Sequence, residues 1–565
     1  MNMNVAQAAS SGSNASAYRL VAILGLVVFL GLRLAGLFNE PLLEDHDSTG
    51  YLYRTEIFAG TKPDDAEPLN ADLLPLYPLT AAALTHLGLS AEESGRLVSL
   101  AASLLAGLLV VLVAARLGSW PAGAFAAVLI AFEPTMARLS YSVLTEPLYM
   151  ALVALGLWLT VRDPRAPPTV PGAIALGAVF GLSFLDRFEG ILFLGAMPFL
   201  QWCLTLAAHR DNLRAQLRPL VTWTAVFGAV FAVLAAPQVW YVSKEMNQFA
   251  LNGRQAWSVI KNVKNGQSEE QRLNGLDYSP TVTNLRHLQQ SPEDLAKLDA
   301  SVPFKARVDS ISSNLDVLQR QTLPELLGLP VLVLMPIGLY WLLRNGQARA
   351  AFVLAGFAAV AFVAPLMYLV VPRYILAATP PLLALAAVGG VGAGQAIAQL
   401  AATSRVRALS MPAVLLGLAL ITMAINARPL WRMATEPDRD NPIADPYADP
   451  KLYASFLPIL KAACAANPGE ILLVRKRYIA TFSNCSRVTI PYATLDQLRL
   501  YAEGHGATLM FIESAWDSAR PFYRDLVVPD QSPDGFELLA SNQSADGNRQ
   551  LLYRLHLRPE GAISQ

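Results

Sequence analysis

The sequence predicts a polytopic α-helical membrane protein, and its composition, its hydropathy pattern and the charges of its loops all support this fold class. Of the 565 residues, 54% are hydrophobic and only 15% are charged, and the mean hydropathy is +0.38. Soluble chains of this size are rarely so apolar. The formal net charge is zero, which argues against a nucleic-acid partner, because such partners usually require a basic face.

About eleven apolar stretches approach or reach the roughly 20 residues that a helix needs to cross a bilayer. They lie near residues 20–38, 96–117, 122–138, 142–161, 171–186, 190–207, 220–242, 324–343, 350–371, 374–397 and 409–428. The first stretch follows a polar tail and has no clear small-residue cleavage site after it. We therefore expect an uncleaved anchor.

Two polar segments interrupt this pattern, and the chain changes character near residue 430. Residues 39–95 form a polar loop with one weakly amphipathic piece, and residues 243–323 form a long polar insertion. Four prolines between residues 437 and 450 mark a linker. The predicted parts are a cytoplasmic tail at 1–19, a transmembrane domain at 20–430 that carries the two outer loops, and a periplasmic α/β domain at 431–565.

Basic residues in the short loops predict the orientation of the chain in the membrane. With a cytoplasmic N-terminus, every short inside turn is basic, for example at Arg116, Arg214 and Arg405, whereas the first outside loop is acidic. Eleven spans then place the C-terminal domain outside. An Ala- and Leu-rich chain without retention signals favours a bacterial inner membrane, with the outer loops in the periplasm.

The C-terminal region has the pattern of a small α/β unit. Strands are predicted at 471–475, 488–491, 508–513 and 551–557, and helices at 451–466 and 495–503. Cys464 and Cys485 lie in this region and would pair in an oxidising compartment, whereas two free thiols are the alternative. The sequence contains no Gly-rich phosphate loop and no zinc-binding spacing.

The charged residues in tight outer turns or near the ends of spans all fall on the predicted outer side. They are Glu44, Asp45, His46, Asp47, Glu133, Arg138, Glu146, Asp186, Arg187, Glu189 and Arg373. Charges within a membrane are costly, so each is a candidate functional residue. Arginines beside carboxylates suit a lipid phosphate and a hydroxyl acceptor, because guanidinium binds phosphate oxygens and a carboxylate accepts a proton.

Each of these groups also has a purely structural interpretation. Glu146 would pair with Arg138 or Arg187 only to hold two helices together. The turn at 186–189 and the cluster at 44–47 would be solvated loops, and Arg373 would be an interfacial anchor.

Six short motifs follow one another in order along residues 20–400. They are the acidic stretch 44–51, Pro75-Leu76-Tyr77-Pro78, Gly95-Arg96-Leu97-Val98-Ser99, Leu144-Thr145-Glu146-Pro147-Leu148, Arg187-Phe188-Glu189-Gly190 and Pro372-Arg373-Tyr374. In this order and on one side of the membrane, they resemble the GT-C glycosyltransferases. These polytopic enzymes use polyprenyl-phosphate sugars and include family 39 protein O-mannosyltransferases and aminoarabinose transferases.

The resemblance implies a hexosyl- or pentosyltransferase that moves a sugar from a polyprenyl-phosphate donor to an extracytoplasmic glycan, lipid or protein, with inversion. The spacing to Tyr51 favours Asp47 as the catalytic base, with Asp45 or Glu44 assisting. Asp45 remains an alternative base, because many family members carry an adjacent Asp-Glu pair at this place.

The resemblance also implies a set of substrate-binding residues. Arg187 and Arg373 would hold the departing phosphate, and Glu146 would orient an arginine or contact sugar hydroxyls. The set is completed by Glu189, Tyr51, Lys244 and Arg254, the last two closing over the donor from the long insertion. Some members of this family use a divalent metal and others do not. If this chain uses one, Asp45 and Asp47 would ligate it.

Two other classes of function remain as alternatives. A lipid or solute transporter would place polar groups at the bilayer midplane and break helices in matching halves, whereas here the charges lie toward the outer face. A non-catalytic membrane assembly subunit is disfavoured by the acidic first loop, and mutagenesis is needed to exclude it.

Overall fold

The computed structural model describes residues 12–39, 46–61, 74–161, 169–209, 212–246, 249–251, 304–367, 370–400, 404–435, 450–467, 469–475, 478–491, 493–518, 520–527, 532–543 and 547–556. They form two compact units. The first draws on Met1–Pro41, Leu74–Pro237 and Val308–Asn441, and the second on Leu42–Leu73, Gln238–Arg307 and Pro442–Gln565.

The α-helices, in chain order, are α1 (Gly12–Asn39), α2 (His46–Phe58), α3 (Leu76–Thr85), α4 (Ala91–Ala131), α5 (Pro134–Leu139), α6 (Glu146–Val161), α7 (Val170–Asp186), α8 (Leu192–Ala208), α9 (Leu213–Met246), α10 (Phe304–Val317), α11 (Leu323–Arg344), α12 (Ala348–Met367), α13 (Thr379–Leu400), α14 (Ser404–Thr435), α15 (Leu457–Ala466), α16 (Tyr478–Ser483), α17 (Leu495–His505), α18 (Ser514–Asp517) and α19 (Tyr523–Leu526). Short 3₁₀ turns lie at Phe188–Ile191, Pro372–Ala378 and Pro450–Tyr453, and a π-helical turn lies at Leu318–Thr322.

Seven helical segments in the described part of the chain are long and apolar enough to cross a membrane. Shorter apolar helices, among them α6 and α7, coincide with further predicted spans. Leu20, Ile23 and Val27 of α1 are all more than half exposed, as expected for side chains that face lipid. The predicted class, a polytopic helical membrane protein with a small C-terminal α/β domain, is confirmed, whereas the number of spans stays a prediction.

The core of the first unit lies along α13, which packs against α4, α11 and α14. The most apolar stretch of the segment Pro372–Leu400 is buried along its whole length. Glycines bring α11 and α13 together, since a Cβ at Gly389 would lie 2.0 Å from the Leu334 carbonyl oxygen, and one at Gly338 would lie 2.0 Å from that of Leu385. Small residues allow such close approach between membrane helices, where dispersion contacts drive the packing.

The third predicted span, 122–138, is not one continuous helix. Helix α4 ends at Ala131, and α5 begins at Pro134 after Glu133, whose carboxylate accepts hydrogen bonds from the Thr135 and Met136 amides. Pro134 at the first helical position favours a helix start, and the Glu133 carboxylate satisfies the first free amides, so a new helix begins within the apolar stretch. Helix α4 also bends at Gly118 and Ser119, where the second predicted span ends.

The described part of the second unit contains a five-stranded sheet. The strands are β1 (Ile471–Val474), β2 (Ser486–Thr489), β3 (Ala507–Glu513), β4 (Phe536–Gln543) and β5 (Arg549–Leu555), in the order β2-β1-β3-β5-β4. Strand β1 is parallel to β2 and β3, and β5 is antiparallel to β3 and β4. Leu473, Val488, Met510 and Tyr553 form the centre of its core.

A disulfide bond joins Cys464 and Cys485, whose Cα atoms are 5.5 Å apart. It links the end of α15 to the residue that precedes β2, next to α16. Helix α16 is largely buried, and it packs against α2, which belongs to the same unit. Helix α2, which occupies part of the predicted polar loop, is thus a packed element of the second unit.

Candidate functional site

Helix α2 carries the predicted base. Asp47 lies in its first turn, where the helix dipole favours a negative charge, and its side chain is partly buried. Tyr51 follows one turn later and is buried, and its carbonyl oxygen accepts a hydrogen bond of 2.8 Å from the Thr55 hydroxyl. The burial of most of this helix gives Asp47 a fixed backbone, which a catalytic base needs.

The structure describes some, but not all, of the other predicted site residues of the second unit. Lys244 lies near the end of α9 and is exposed, with its ammonium 5.5 Å from the centroid of the Trp240 ring. Glu44, Asp45 and Arg254 lie outside the described residues.

In the first unit, the structure brings four predicted residues together in what we call the arginine cluster, namely Glu146, Arg187, Glu189 and Arg373. They come from three of the six motifs, at the start of α6, after α7 and in the 3₁₀ turn Pro372–Ala378. Residues more than 200 positions apart thus share one site.

Arg187 lies at the centre of the arginine cluster. Its Nη1 is 2.7 Å from Glu146 Oε1, and its Nη2 is 2.9 Å from Glu189 Oε1. Its Nε also donates to Glu189 Oε2 at 3.3 Å, so the Glu189 pair is bidentate. The Thr145 hydroxyl accepts a further hydrogen bond of 3.3 Å from Nη1. Two carboxylates thus fix the orientation of this guanidinium.

Arg373 lies near the same carboxylate oxygen of Glu146. Its Nε is 3.9 Å from Glu146 Oε1, and its Nη2 donates to the Tyr374 hydroxyl at 2.9 Å. The Tyr374 ring lies 4.7 Å from the Arg373 guanidinium carbon and 5.4 Å from that of Arg187. Glu146 therefore sets the spacing of two arginines, and one aromatic ring contacts both.

The turn that carries Arg187 requires glycine at position 190. A Cβ at Gly190 would lie 2.4 Å from the Phe184 amide nitrogen and 2.6 Å from the Ser183 hydroxyl oxygen. Only glycine allows the chain to fold back this closely on the end of α7. The motif Arg187-Phe188-Glu189-Gly190 thus combines an ion pair with the backbone turn that positions it.

The second and third motifs hold the segment that leads to Glu146. The Tyr77 hydroxyl donates to the Gly95 carbonyl at 2.8 Å, and the Ser99 hydroxyl donates to the Ser142 carbonyl at 2.6 Å. Arg96 donates to the Tyr141 carbonyl at 3.1 Å. Arg96 and Ser99 thus satisfy backbone groups in the turn before α6, and Tyr77 joins α3 to α4 beside them, so these side chains position the cluster without belonging to it.

A second group of buried charges has different partners. Arg33 is fully buried in α1 and donates to the carbonyls of Ala131 and Ile130 at 2.6 and 3.0 Å, which lie at the end of α4. Glu133 caps the start of α5, as described above. We call Arg33, Glu133 and these two helix ends the helix junction. Its charges bind backbone groups that the helices leave unsatisfied.

Thr145 and Tyr149 were not predicted as members of the site, and Asp186 was predicted as a candidate functional residue without a role. The Tyr149 ring lies 6.0 Å from the Arg187 guanidinium carbon. Tyr149 follows Glu146 by three residues on α6, so helical spacing was the available signal. In the described part of the chain, no group of three or more His, Cys, Asp or Glu side chains is placed to hold a metal ion.

Comparison with known proteins agrees with this architecture. Residues 67–241 match the family described as dolichyl-phosphate-mannose-protein mannosyltransferase. No curated protein matches the chain.

Two solved structures are similar over nearly the whole chain. ArnT from Cupriavidus metallidurans, bound to undecaprenyl phosphate, has a TM-score of 0.57 at 15% identity, covering 94% of this chain and 97% of that one. The oligosaccharyltransferase AglB from Archaeoglobus fulgidus, in complex with an inhibitory peptide and a dolichol-phosphate, has a TM-score of 0.59 at 12% identity, covering 98% and 75%.

The sequence match covers one segment of the chain, and the two solved structures show that the whole chain is similar to them in fold. The segment that matches the dolichyl-phosphate-mannose-protein mannosyltransferase family is residues 67–241. The segment contains the first three residues of the arginine cluster, so the match includes the part of the chain that builds most of this site.

Proposed function

We propose that the chain is a glycosyltransferase that moves a sugar from a polyprenyl-phosphate donor to an acceptor outside the cytoplasm, with inversion. The observation that supports this most strongly is the arginine cluster, because three separate motifs meet there around two arginines and a shared carboxylate. The bound undecaprenyl phosphate and dolichol-phosphate of the two similar structures support the class of donor.

In the proposed reaction, Asp47 accepts the proton of an acceptor hydroxyl while the hydroxyl oxygen attacks the anomeric carbon. The bond from that carbon to the phosphate oxygen breaks, and the polyprenyl phosphate leaves with the electron pair. One displacement inverts the anomeric centre. Asp45 or Glu44 would assist Asp47, and Asp45 stays the alternative base. Any divalent metal would be ligated by Asp45 and Asp47.

The arginine cluster would receive the negative charge of the departing phosphate. We assign phosphate binding to Arg187 and Arg373 and their orientation to Glu146. Glu189, the more exposed of the two carboxylates paired with Arg187, would be displaced as the phosphate takes its place. Tyr51, Lys244 and Arg254 are proposed donor contacts, the last two closing over it.

We further propose that the membrane is a bacterial inner membrane, with the C-terminal domain in the periplasm. The Cys464–Cys485 disulfide supports this side, because structural disulfides persist in oxidising compartments. Both cysteines are expected to resist thiol labelling in denatured, unreduced extracts of cells. Labelling of both would contradict the placement.

The experiment that tests the function is mass spectrometry of polyprenyl-linked sugars and envelope glycans from the native host. Cells would carry the wild-type protein, Asp47→Asn, Asp45→Asn or a gene deletion. Asp496→Asn, which alters an exposed carboxylate of the C-terminal domain, is the matched control.

We expect the deletion and Asp47→Asn to remove one sugar from a glycan and to accumulate one lipid-phosphate sugar, whereas Asp496→Asn behaves as wild type. A dead Asp45→Asn beside an active Asp47→Asn would move the base to Asp45. Unchanged glycans in the deletion strain would favour a transporter or an assembly subunit instead.

A further inference from the structure

Asp186 is a buried carboxylate beside the arginine cluster with no assigned role. It is the last residue of α7, directly before Arg187, and it is 2% exposed. Within the described part of the chain, neither of its carboxylate oxygens has a hydrogen-bond partner. The backbone N–H of Tyr149 lies near Asp186, but it donates its hydrogen bond to the Thr145 carbonyl at 3.0 Å.

Burial of a carboxylate without hydrogen-bond donors is unfavourable, because the protein does not replace the water that the group loses. Glu133 shows what a structural carboxylate looks like in the same unit. It is also 2% exposed, yet it accepts hydrogen bonds from two backbone amides. Asp186 is therefore retained at a cost to stability, which indicates a function.

The surrounding charges define what kind of ligand suits Asp186. Its electrostatic neighbours are Arg187, Glu146 and Glu189, and Arg187 already forms ion pairs with both glutamates. Arg373 adds a second guanidinium, so this region holds three carboxylates and only two guanidiniums. A phosphate would add negative charge next to Asp186, whereas a hydroxyl group would donate a hydrogen bond without adding charge.

We propose that Asp186 binds hydroxyl groups of the sugar that is transferred, an inference that rests on the proposed function. A carboxylate has two oxygens and accepts hydrogen bonds from two neighbouring hydroxyls at once. Arg187 and Arg373 would take the phosphate, and Asp186 would take the sugar attached to it. Because both oxygens are closed off from solvent, the donor-bound state must differ in the position of at least one neighbouring side chain.

An acceptor sugar presents the same hydroxyl chemistry as the donor sugar, so the test must distinguish the two sources. The probes are bare undecaprenyl phosphate and the lipid-phosphate sugar that accumulates in the deletion strain. Binding of each probe is measured on the purified full chain, as wild type, Asp186→Asn and Glu133→Gln. Glu133→Gln is the matched control, since it neutralises an equally buried carboxylate whose partners are backbone amides.

We expect Asp186→Asn to bind the sugar-bearing lipid about tenfold to a hundredfold more weakly and to bind bare undecaprenyl phosphate as wild type does. Its melting temperature should be unchanged or higher, because a buried charge has been removed. Glu133→Gln should bind both lipids normally and melt at a lower temperature.

Three results would overturn the inference. A lower melting temperature for Asp186→Asn, with normal affinity for both lipids, would make Asp186 structural. Normal donor affinity with a raised KM for the acceptor would place it at the acceptor. Equal weakening for both lipids would make it part of the phosphate site. Failure of the proposed function is a separate result, since the deletion strain would then accumulate no lipid-phosphate sugar.

Discussion

The helix junction and the arginine cluster both bury charged side chains in the first unit, but they use these charges differently. In the helix junction, Arg33 and Glu133 bind backbone carbonyls and amides at two helix ends. In the arginine cluster, Glu146, Arg187 and Arg373 bind mainly one another and nearby side chains.

The difference teaches how to interpret a charge inside a membrane protein. A charge that satisfies backbone groups completes the fold, and its removal leaves those groups without partners. Charges that bind each other can exchange partners with a ligand at little net cost, because an anionic group of the ligand takes the place of a carboxylate beside the guanidinium. Intramembrane position alone therefore does not identify a functional residue.

Replacement of the central arginine of the cluster should have the largest effect, since it affects both folding and activity. Arg187→Gln leaves Glu146 and Glu189 without their closest cation, so the free energy of unfolding should fall by about 3 kcal/mol. Loss of the proposed phosphate contact should lower the transfer rate per folded molecule by about a hundredfold or more. Denaturation in detergent and a transfer assay on the same preparation measure the two effects.

The result is informative only beside a variant of the helix junction. Arg33→Gln should lower the free energy of unfolding by about 2 to 3 kcal/mol, because the carbonyls at the end of α4 lose a charged donor. Its transfer rate per folded molecule should match that of the wild type. A hundredfold loss of transfer in folded Arg33→Gln would erase the distinction between the two regions.

The smallest effect is expected for the other member of the helix junction. Glu133→Gln keeps one acceptor oxygen at the start of α5, so it should cost only about 1 kcal/mol of stability, within the usual range for an N-cap. Thermal denaturation of the purified chain measures this loss. A destabilisation larger than that of Arg33→Gln would mean that the two charges depend on each other more than on the helix ends.

The helices of the first unit were largely predictable, because long apolar runs have few alternatives in a membrane. Predicted spans such as 324–343 and 171–186 correspond closely to α11 and α7. The break at Glu133 was not predicted, since the apolar pattern continues across it and only the N-cap and Pro134 mark a new start.

In the second unit, four strands were predicted and β4 was missed. Residues Phe536–Gln543 form an edge strand whose side chains are mostly exposed, so they lack the apolar alternation that identifies a half-buried strand. Helix α2 lies in the segment that was predicted as a polar loop. Its polar residues Ser48, Thr49 and Thr55 are fully buried, and composition alone predicts the opposite.

For the site, the sequence motifs predicted the members of the arginine cluster as substrate-binding residues, but not which of their atoms pair. The predicted topology places Glu146, Arg187 and Arg373 on the outer side of the membrane, and helix ends on one side can lie close together. That Glu189 binds Arg187 through both oxygens, and that Asp186 is sealed off beside them, depends on the turn at Gly190. Such local geometry is not encoded in motif spacing.

The most direct measurement of the central claim is the release of bare polyprenyl phosphate by the purified chain. The substrates are the lipid-phosphate sugar from the deletion strain and an acceptor extract from the same cells. Wild type and Arg33→Gln should release polyprenyl phosphate at similar rates per folded molecule, whereas Arg187→Gln should release about a hundredfold less. No release by the wild type, or equal release by the two arginine variants, would contradict the account.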